Sequence, residues 1–142
     1  MAEHRAHGES RGARVPSCSP EHSLLDADGI RRLRRAGFPV VAWTVNDPGR
    51  MAELIAMGVD GIISDRPDLL RAMAGSGVDV QGHRGARGLR PENTLPAMEA
   101  ALDCGVTTLE TDCGVSADGV AVLCHDPYLE PRTCRRADDR AY

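Results

Sequence analysis

Several polar side chains of acid, base and metal-ligand types follow predicted strands in this chain. His83 and Arg84 lie in a glycine-rich turn after one apolar run, Glu110 and Asp112 end a second, and His125 ends a third. Histidine exchanges protons near neutral pH. Glu110 and Asp112 are two residues apart, so on a strand their carboxylates share one face and repel each other unless a cation lies between them. Hard divalent cations such as Mg²⁺ and Ca²⁺ take oxygen ligands of this kind, so the residue types predict acid–base chemistry beside a divalent cation.

Each of these groups also has a purely structural interpretation. Glu110 and Asp112 could be solvated charges at the end of a strand, and His83 could be an ordinary turn residue. His125 could open a turn in which the following aspartate accepts backbone N–H bonds. The stretch Asp65–Pro67 is typical of a structural turn with a local ion pair. What favours chemistry is that all of these polar groups fall at strand ends.

The elements that position them follow a repeating pattern, in which an amphipathic helix ends at a glycine and an apolar strand follows at once. Alternating helices and strands of this kind predict βα units and a parallel sheet. In such folds the functional groups gather at the carboxyl ends of the strands. The helices end at Gly37, Gly58 and Gly105, and the strands are predicted over 40–45, 61–64, 78–80, 106–112 and 119–126.

Composition excludes several classes of protein. The formal net charge of −4 argues against a general nucleic-acid binder. All 17 basic side chains are arginine, so lysine chemistry is excluded. The five cysteines form no CxxC pair, which favours reduced thiols and a cytoplasmic location. No apolar run approaches the roughly 20 residues of a membrane span. Residues 1–22 lack the apolar core of a signal peptide and are predicted to be a disordered leader.

Four segments of the sequence together resemble the glycerophosphodiester phosphodiesterase family, whose fold is a TIM barrel. "GHRGARGLRPENTLPAMEAAL" resembles the family's first strand, phosphate loop and first helix. "TLETD" resembles its metal-binding strand, and "DGVAVLCHDPYLEPRT" resembles its strand ending in His-Asp. "GFPVVAWTVNDPGRMAELIAMGVDGIISDRPDLL" resembles the seventh and eighth strands with their helices, although it comes first in this chain.

The resemblance implies an α/β fold that is a partial (half) TIM barrel in permuted order, equivalent to strands 7, 8, 1 and 2. A full barrel uses about 250 residues, which this chain of 142 does not have. We therefore expect one partial domain over 23–142. It divides into the equivalent of a barrel's C-terminal part (23–74), a joint (75–77) and the equivalent of its N-terminal part (78–142).

The resemblance also implies roles for seven residues. The family's acid–base pair, its phosphate-binding arginine, an aromatic residue near the glycerol or alcohol group and its metal-binding carboxylates all have counterparts here. These are the catalytic His83 and His125, the substrate-binding Arg84 and Trp43, and the metal ligands Glu110, Asp112 and Glu92. The implied cofactor is a divalent cation, Mg²⁺ or Ca²⁺.

The implied activity is metal-dependent hydrolysis of a small-molecule glycerophosphodiester to glycerol phosphate and an alcohol. Two family features have no counterpart, namely a third metal-binding carboxylate from a middle strand and a phosphate-binding lysine. This leaves open an inactive half-barrel that pairs with another copy through its open sheet edges, forming a homodimer. A related phospholipase-type phosphodiesterase is a further alternative. No nucleic-acid partner is expected.

Overall fold

The computed structural model describes residues 17–128 and residue 138. A 3-10 turn at His22–Leu24 precedes four helices, which are α1 (Ala27–Arg35), α2 (Pro48–Met57), α3 (Pro67–Met73) and α4 (Leu95–Asp103). The strands are β1 (Val41–Ala42), β2 (Gly61–Ser64), β3 (Asp79–Gly82), β4 (Thr108–Leu109), β5 (Cys113–Val115) and β6 (Ala121–Leu123).

The helices begin and end where local chemistry favours it. The carboxylates of Asp26 and Asp47 accept backbone N–H groups in the first turns of α1 and α2, at 2.6 and 2.8 Å. The hydroxyl of Thr94 caps α4 in the same way. Gly58 ends α2 with φ of 85°, a left-handed conformation that costs glycine little. The predicted order of helix, glycine and strand is therefore present.

Strands β1 to β4 form a parallel sheet in chain order, with Ile62 of β2 opposite Val80 of β3. Their apolar side chains pack with those of the helices into one core. Its fully buried members include Ile30, Val40, Met51, Leu54, Ile62, Leu70 and Val80. A parallel four-stranded sheet with helices packed against it fits a partial TIM-barrel-like fold.

The segment before α1 is bonded to β1, and this changes the expected boundary of the leader. Cys18 donates its N–H to the Pro39 carbonyl at 2.8 Å, and His22 donates to the Trp43 carbonyl at 3.0 Å. Cys18 and Glu21 each form a parallel bridge to the β1 region. Residues 18–22 therefore cover the outer edge of β1, so this part of the expected leader is ordered against the sheet. The expectation for residues 1–16 lies outside the described residues, as do positions 129–137 and 139–142 of the predicted domain.

The predicted strand over 119–126 is shorter and pairs differently from the others. β6 runs antiparallel to β5, with Gly114 opposite Val122. Only five residues separate the two strands, whereas a parallel neighbour needs a crossover of about a dozen residues or more. This stretch therefore forms a hairpin instead of extending the parallel sheet. Among the described residues, β4 has no strand paired to its other side.

The structure also bears on membrane spans and on the state of the cysteines. Within the described part of the chain, no helix has the length and apolar character that a bilayer crossing would need. The four described cysteines, Cys18, Cys104, Cys113 and Cys124, are free thiols.

Candidate active site

The carboxyl ends of the parallel strands meet along one edge of the sheet and form a cleft of about 350 Å³. Six of the seven predicted site residues line this cleft, and the seventh, Glu92, contacts Arg84. The lining consists of Trp43, Thr44, Ile63, His83, Arg84, Glu110, Asp112 and His125. The residues that sequence reasoning grouped by type therefore lie together in space.

The glycine-rich turn after β3 has its shape because side chains would not fit there. Gly85 has φ of 84°, and a Cβ on it would lie 2.7 to 2.9 Å from atoms of Ala97. A Cβ on Gly82 would collide with the Gly85 carbonyl oxygen. Arg84, between these glycines, is itself left-handed with φ of 51°. The tight turn thereby brings His83 and Arg84 to the cleft at the start of the loop.

His83 is held between two carboxylates. Its Nδ1 lies 2.6 Å from Asp65 Oδ1, and its Nε2 lies 3.9 Å from Glu110 Oε2. The side chain is 15% exposed, so the ring is mostly shielded from water. Burial raises the pKa of Asp65, but hydrogen bonds with His83 and Asn46 outweigh it, and the net pKa lies below its ordinary value. Asp65 is therefore an ionised partner for the imidazole.

Arg84 is nearly buried, with 9% of its surface exposed, and contacts all three predicted metal-binding carboxylates. Its Nη1 donates to Glu92 Oε1 at 2.8 Å, and its backbone N–H donates to Glu110 Oε2 at 3.1 Å. Its Nε lies 3.1 Å from Asp112 Oδ2, without the direction of a hydrogen bond. One positive charge thus offsets part of a strongly acidic site.

The fit of a divalent cation depends on these carboxylates. Glu110 and Asp112 have the right donor chemistry, since hard cations take carboxylate oxygens. Glu92 instead pairs with two arginines, at 2.8 Å to Arg84 and 3.3 Å to Arg87. Across residues 17–128 and 138, no group of three or more His, Cys, Asp or Glu side chains is placed to hold a metal. The carboxylates of Glu110 and Asp112 therefore have the chemistry to bind a cation, whereas the carboxylate of Glu92 lies where it pairs with arginines.

Trp43 and His125 are far apart in the sequence but line the same cleft. Trp43 is 44% exposed, so it is not a core residue, and its Nε1 donates to the Ser19 carbonyl at 2.7 Å. His125 follows β6, and its Nδ1 lies 2.9 Å from Asp126 Oδ1. The imidazole is about half exposed, so it is accessible from solvent.

Sequence reasoning missed two residues that organise this site. Asp65 was interpreted as part of a structural turn, yet it contacts the ring of His83. Asn93 received no role in the site, yet its N–H donates to the Arg84 carbonyl at 3.0 Å and its Nδ2 donates to Asp112 at 3.4 Å. Asn93 has φ of 56°, which asparagine tolerates better than most residues. The position of Asp65 directly after a strand was the one available signal.

Known proteins resemble this chain over much of its length. The model of the glycerophosphoryl diester phosphodiesterase family matches residues 2–69 and 83–138, which is most of the chain. The chain belongs to the glycerophosphoryl diester phosphodiesterase family. The match includes every predicted site residue and begins inside the stretch expected to be a leader.

Several curated proteins match shorter stretches. The human "Glycerophosphoinositol inositolphosphodiesterase GDPD2" is 52% identical over 52 residues, which is 37% of this chain and 10% of that protein. "Probable glycerophosphodiester phosphodiesterase 2" of Mycobacterium tuberculosis is 55% identical over 42 residues, 30% of this chain and 16% of that protein. "Putative glycerophosphodiester phosphodiesterase YhdW" of Bacillus subtilis is 42% identical over 50 residues, 35% and 21% of the two chains. The matches thus span between a tenth and about a fifth of these relatives. No solved structure matches the chain.

Proposed function

We propose that this chain hydrolyses a glycerophosphodiester to glycerol phosphate and an alcohol in the cleft at the strand ends. The observation that carries the proposal is the shared lining, in which two histidines, one arginine and two acidic residues line one cavity. The family assignment and the names of the three relatives support the same substrate class. A small phosphodiester fits a cleft of this size better than a macromolecule does.

His83 and His125 are the proposed acid–base pair. One imidazole accepts the proton of the attacking glycerol hydroxyl, and the other donates a proton to the oxygen of the leaving alcohol, which leaves a cyclic phosphate. Water then opens that ring to glycerol phosphate while the two imidazoles exchange roles. Both rings line the cleft. His83 presents Nε2 on the side of Glu110, because its Nδ1 is engaged by Asp65. His125, being more exposed, is placed to exchange its proton with solvent.

We propose that three residues offset the negative charge of the substrate, Arg84 directly and Glu110 and Asp112 through a bound cation. The guanidinium of Arg84 matches the oxygens of a phosphate group in shape and charge. Glu110 and Asp112 would hold a Mg²⁺ or Ca²⁺ ion, and Glu92 is the further ligand that the family resemblance implies. When bound, such an ion would neutralise phosphate charge and orient the glycerol hydroxyl. Trp43 would contact the glycerol or alcohol end from the cleft wall.

The permuted order of the fold is a further part of the proposal. The two matched segments are separated by residues 70–82, and the expected joint at 75–77 lies inside that gap. β2 before the joint and β3 after it pair in parallel over four residues, as the eighth and first strands of a closed barrel would. We propose strand equivalents 7, 8, 1 and 2 for β1 to β4, in a domain divided at this joint, and a cytoplasmic location.

An inactive half-barrel that pairs with a second copy is the competing function. Two observations favour it. β4 has no neighbour on its outer side within the described residues, and an open edge invites pairing. The sequence also contains no lysine to assist Arg84 with the phosphate. A second copy could pair with the open edge of β4.

A hydrolysis assay separates the two functions. Glycerophosphocholine is incubated with the purified chain and Mg²⁺ or Ca²⁺, and released choline is measured. We expect turnover that a chelator abolishes and that His83→Ala and His125→Ala each lower by about 10²- to 10⁴-fold. Arg90→Ala is the matched control, because Arg90 is on the same loop, its guanidinium donates to the Leu89 carbonyl, and it does not line the cleft. Turnover no higher than that of His83→Ala would leave the paired half-barrel, and light scattering would then show a dimer.

A further inference from the structure

Asp65 occupies a position that the sheet register makes adjacent to His83. Ser64 at the end of β2 lies directly opposite Gly82 at the end of β3. The next residues in each strand direction are therefore neighbours across the sheet edge. His83 confirms the register by donating its backbone N–H to the Ser64 carbonyl at 2.9 Å. The Asp65–His83 contact is thus built into the sheet and does not depend on a flexible loop.

The carboxylate of Asp65 is itself oriented by a third side chain. Asn46, which follows β1, donates Nδ2 to Asp65 Oδ2 at 2.8 Å. Its Oδ1 accepts the backbone N–H of Asp65 at 2.9 Å and the Ser64 hydroxyl at 3.2 Å. Each oxygen of Asp65 then has a separate partner, with Oδ2 bonded to Asn46 and Oδ1 bonded to His83.

The backbone at Asp65 is held as firmly as its side chain. Gly88 donates its N–H to the Asp65 carbonyl at 2.9 Å. A Cβ on Gly88 would lie 2.6 Å from that same oxygen. The loop can therefore approach Asp65 this closely only with glycine at position 88. Asp65 is therefore held in place by Asn46 at its side chain and by Gly88 at its backbone carbonyl.

We propose that Asp65, held by Asn46, is the positioning residue for His83. The carboxylate accepts the Nδ1 proton of the imidazole and thereby fixes the tautomer in which Nε2 carries the free lone pair. It also fixes the ring plane, so that Nε2 faces the cleft on the side of Glu110. The importance of this tautomer for catalysis rests on the proposed function, since Nε2 is the atom that would exchange a proton with the substrate.

The hydrogen bond between His83 Nδ1 and Asp65 Oδ1 joins the two segments of the chain. Asn46 and Asp65 come from the segment before the joint at 75–77, whereas His83 comes after it. The strand-end residues of the first segment thus act on the chemistry of the second. A second segment expressed alone would carry His83 without the groups that orient it.

The tautomer is measured directly by long-range ¹H–¹⁵N correlation of the imidazole rings in the full chain. The spectra are recorded at alkaline pH, where an ordinary imidazole is neutral. A His83→Gln variant assigns the signals. We expect wild-type His83 to carry its proton on Nδ1. Asp65→Ala should shift the proton towards Nε2, and Asn46→Ala should give a mixture, because the carboxylate then loses its fixed orientation.

Asp68→Asn is the matched control, because Asp68 lies three residues away and pairs with Arg66. It should leave the His83 signals unchanged. The idea is refuted by a wild-type His83 that carries its proton on Nε2, or by an Asp65→Ala variant with unaltered signals. The wild-type spectrum alone decides the matter if Asp65→Ala does not fold by circular dichroism.

The same spectra separate this inference from the proposed function. A chain with the Nδ1–H tautomer and no phosphodiester turnover would retain the positioning role of Asp65 and lose the proposed activity. Turnover with an Nε2–H wild type would do the reverse. Where turnover is present, we expect Asp65→Ala to lower kcat by about 10²-fold, within the range of general acid–base catalysis, with a smaller change in KM.

Discussion

Replacing Gly85 by alanine tests whether the tight turn at the cleft holds the site in place. Two costs follow from the structure. A left-handed φ of 84° costs an alanine about 1–2 kcal/mol. The new Cβ would also lie 2.7 Å from the Ala97 carbonyl carbon, which is main chain of α4 and has no side chain that could turn away. Overpacking of this kind typically costs about 1–3 kcal/mol more, so the free energy of unfolding should fall by about 2–5 kcal/mol.

Gly119→Ala is the matched control for this variant. Gly119 has the same φ of 84°, but nothing lies within 4 Å of its added Cβ, so only the backbone cost of about 1–2 kcal/mol applies. Urea unfolding followed by circular dichroism measures both variants. The difference between the two is the cost of the contact between the turn and α4. Equal losses would refute the reasoning, because they would mean that the turn has room to move away from Ala97.

Three further predictions concern the core, the cleft wall and the loss of stability at acidic pH. Leu54→Ala should lower the free energy of unfolding by about 2–5 kcal/mol, because Leu54 is fully buried in the core; a loss below 1 kcal/mol in urea unfolding would contradict that packing. Trp43→Phe should cost about 1 kcal/mol through the lost bond to Ser19, and tryptophan fluorescence of the wild type should report the release of residues 18–22. The folded pKa of Asp65 lies below its ordinary 3.8, so its stabilising contribution is present above that value and is lost as the pH falls through the lower folded pKa. Asp65→Asn should therefore weaken the acid-induced loss of stability in urea titrations from about pH 6 to pH 3. An unchanged dependence of stability on pH over this range would contradict the hydrogen bonds that lower the pKa of Asp65.

The helices and strands could be predicted because the residues that start and end them are close in sequence. Asp47 followed by Pro48 predicts the start of α2, and Gly58 predicts its end, since capping and left-handed geometry depend on neighbouring residues only. The parallel sheet follows from the alternation of these elements. Residues 18–22 were assigned to a leader because their bonds to β1 are made by backbone groups, and side-chain composition does not report them.

The site was predicted in part for a similar reason. His83 and Glu110 each follow the last residue of a strand, and Gly82 of β3 pairs with Leu109 of β4, so the register brings the two residues together. Asp65 has the same relation to His83 across the other side of β3. Its role was missed because the local sequence around it also makes a good turn, and the contact joins residues 18 positions apart.

The amino-acid sequence by itself determined the helix and strand pattern, the family resemblance and the types of group available for chemistry, because each depends on side-chain type at short spacing. Only the tertiary structure decided which groups touch. It paired Arg84 with the carboxylates expected to bind a cation, and it placed Asp65 and Asn46 behind His83. The physical reason is that parallel pairing brings strand ends from distant parts of the chain to one edge, where distances of a few ångströms decide which charges neutralise each other.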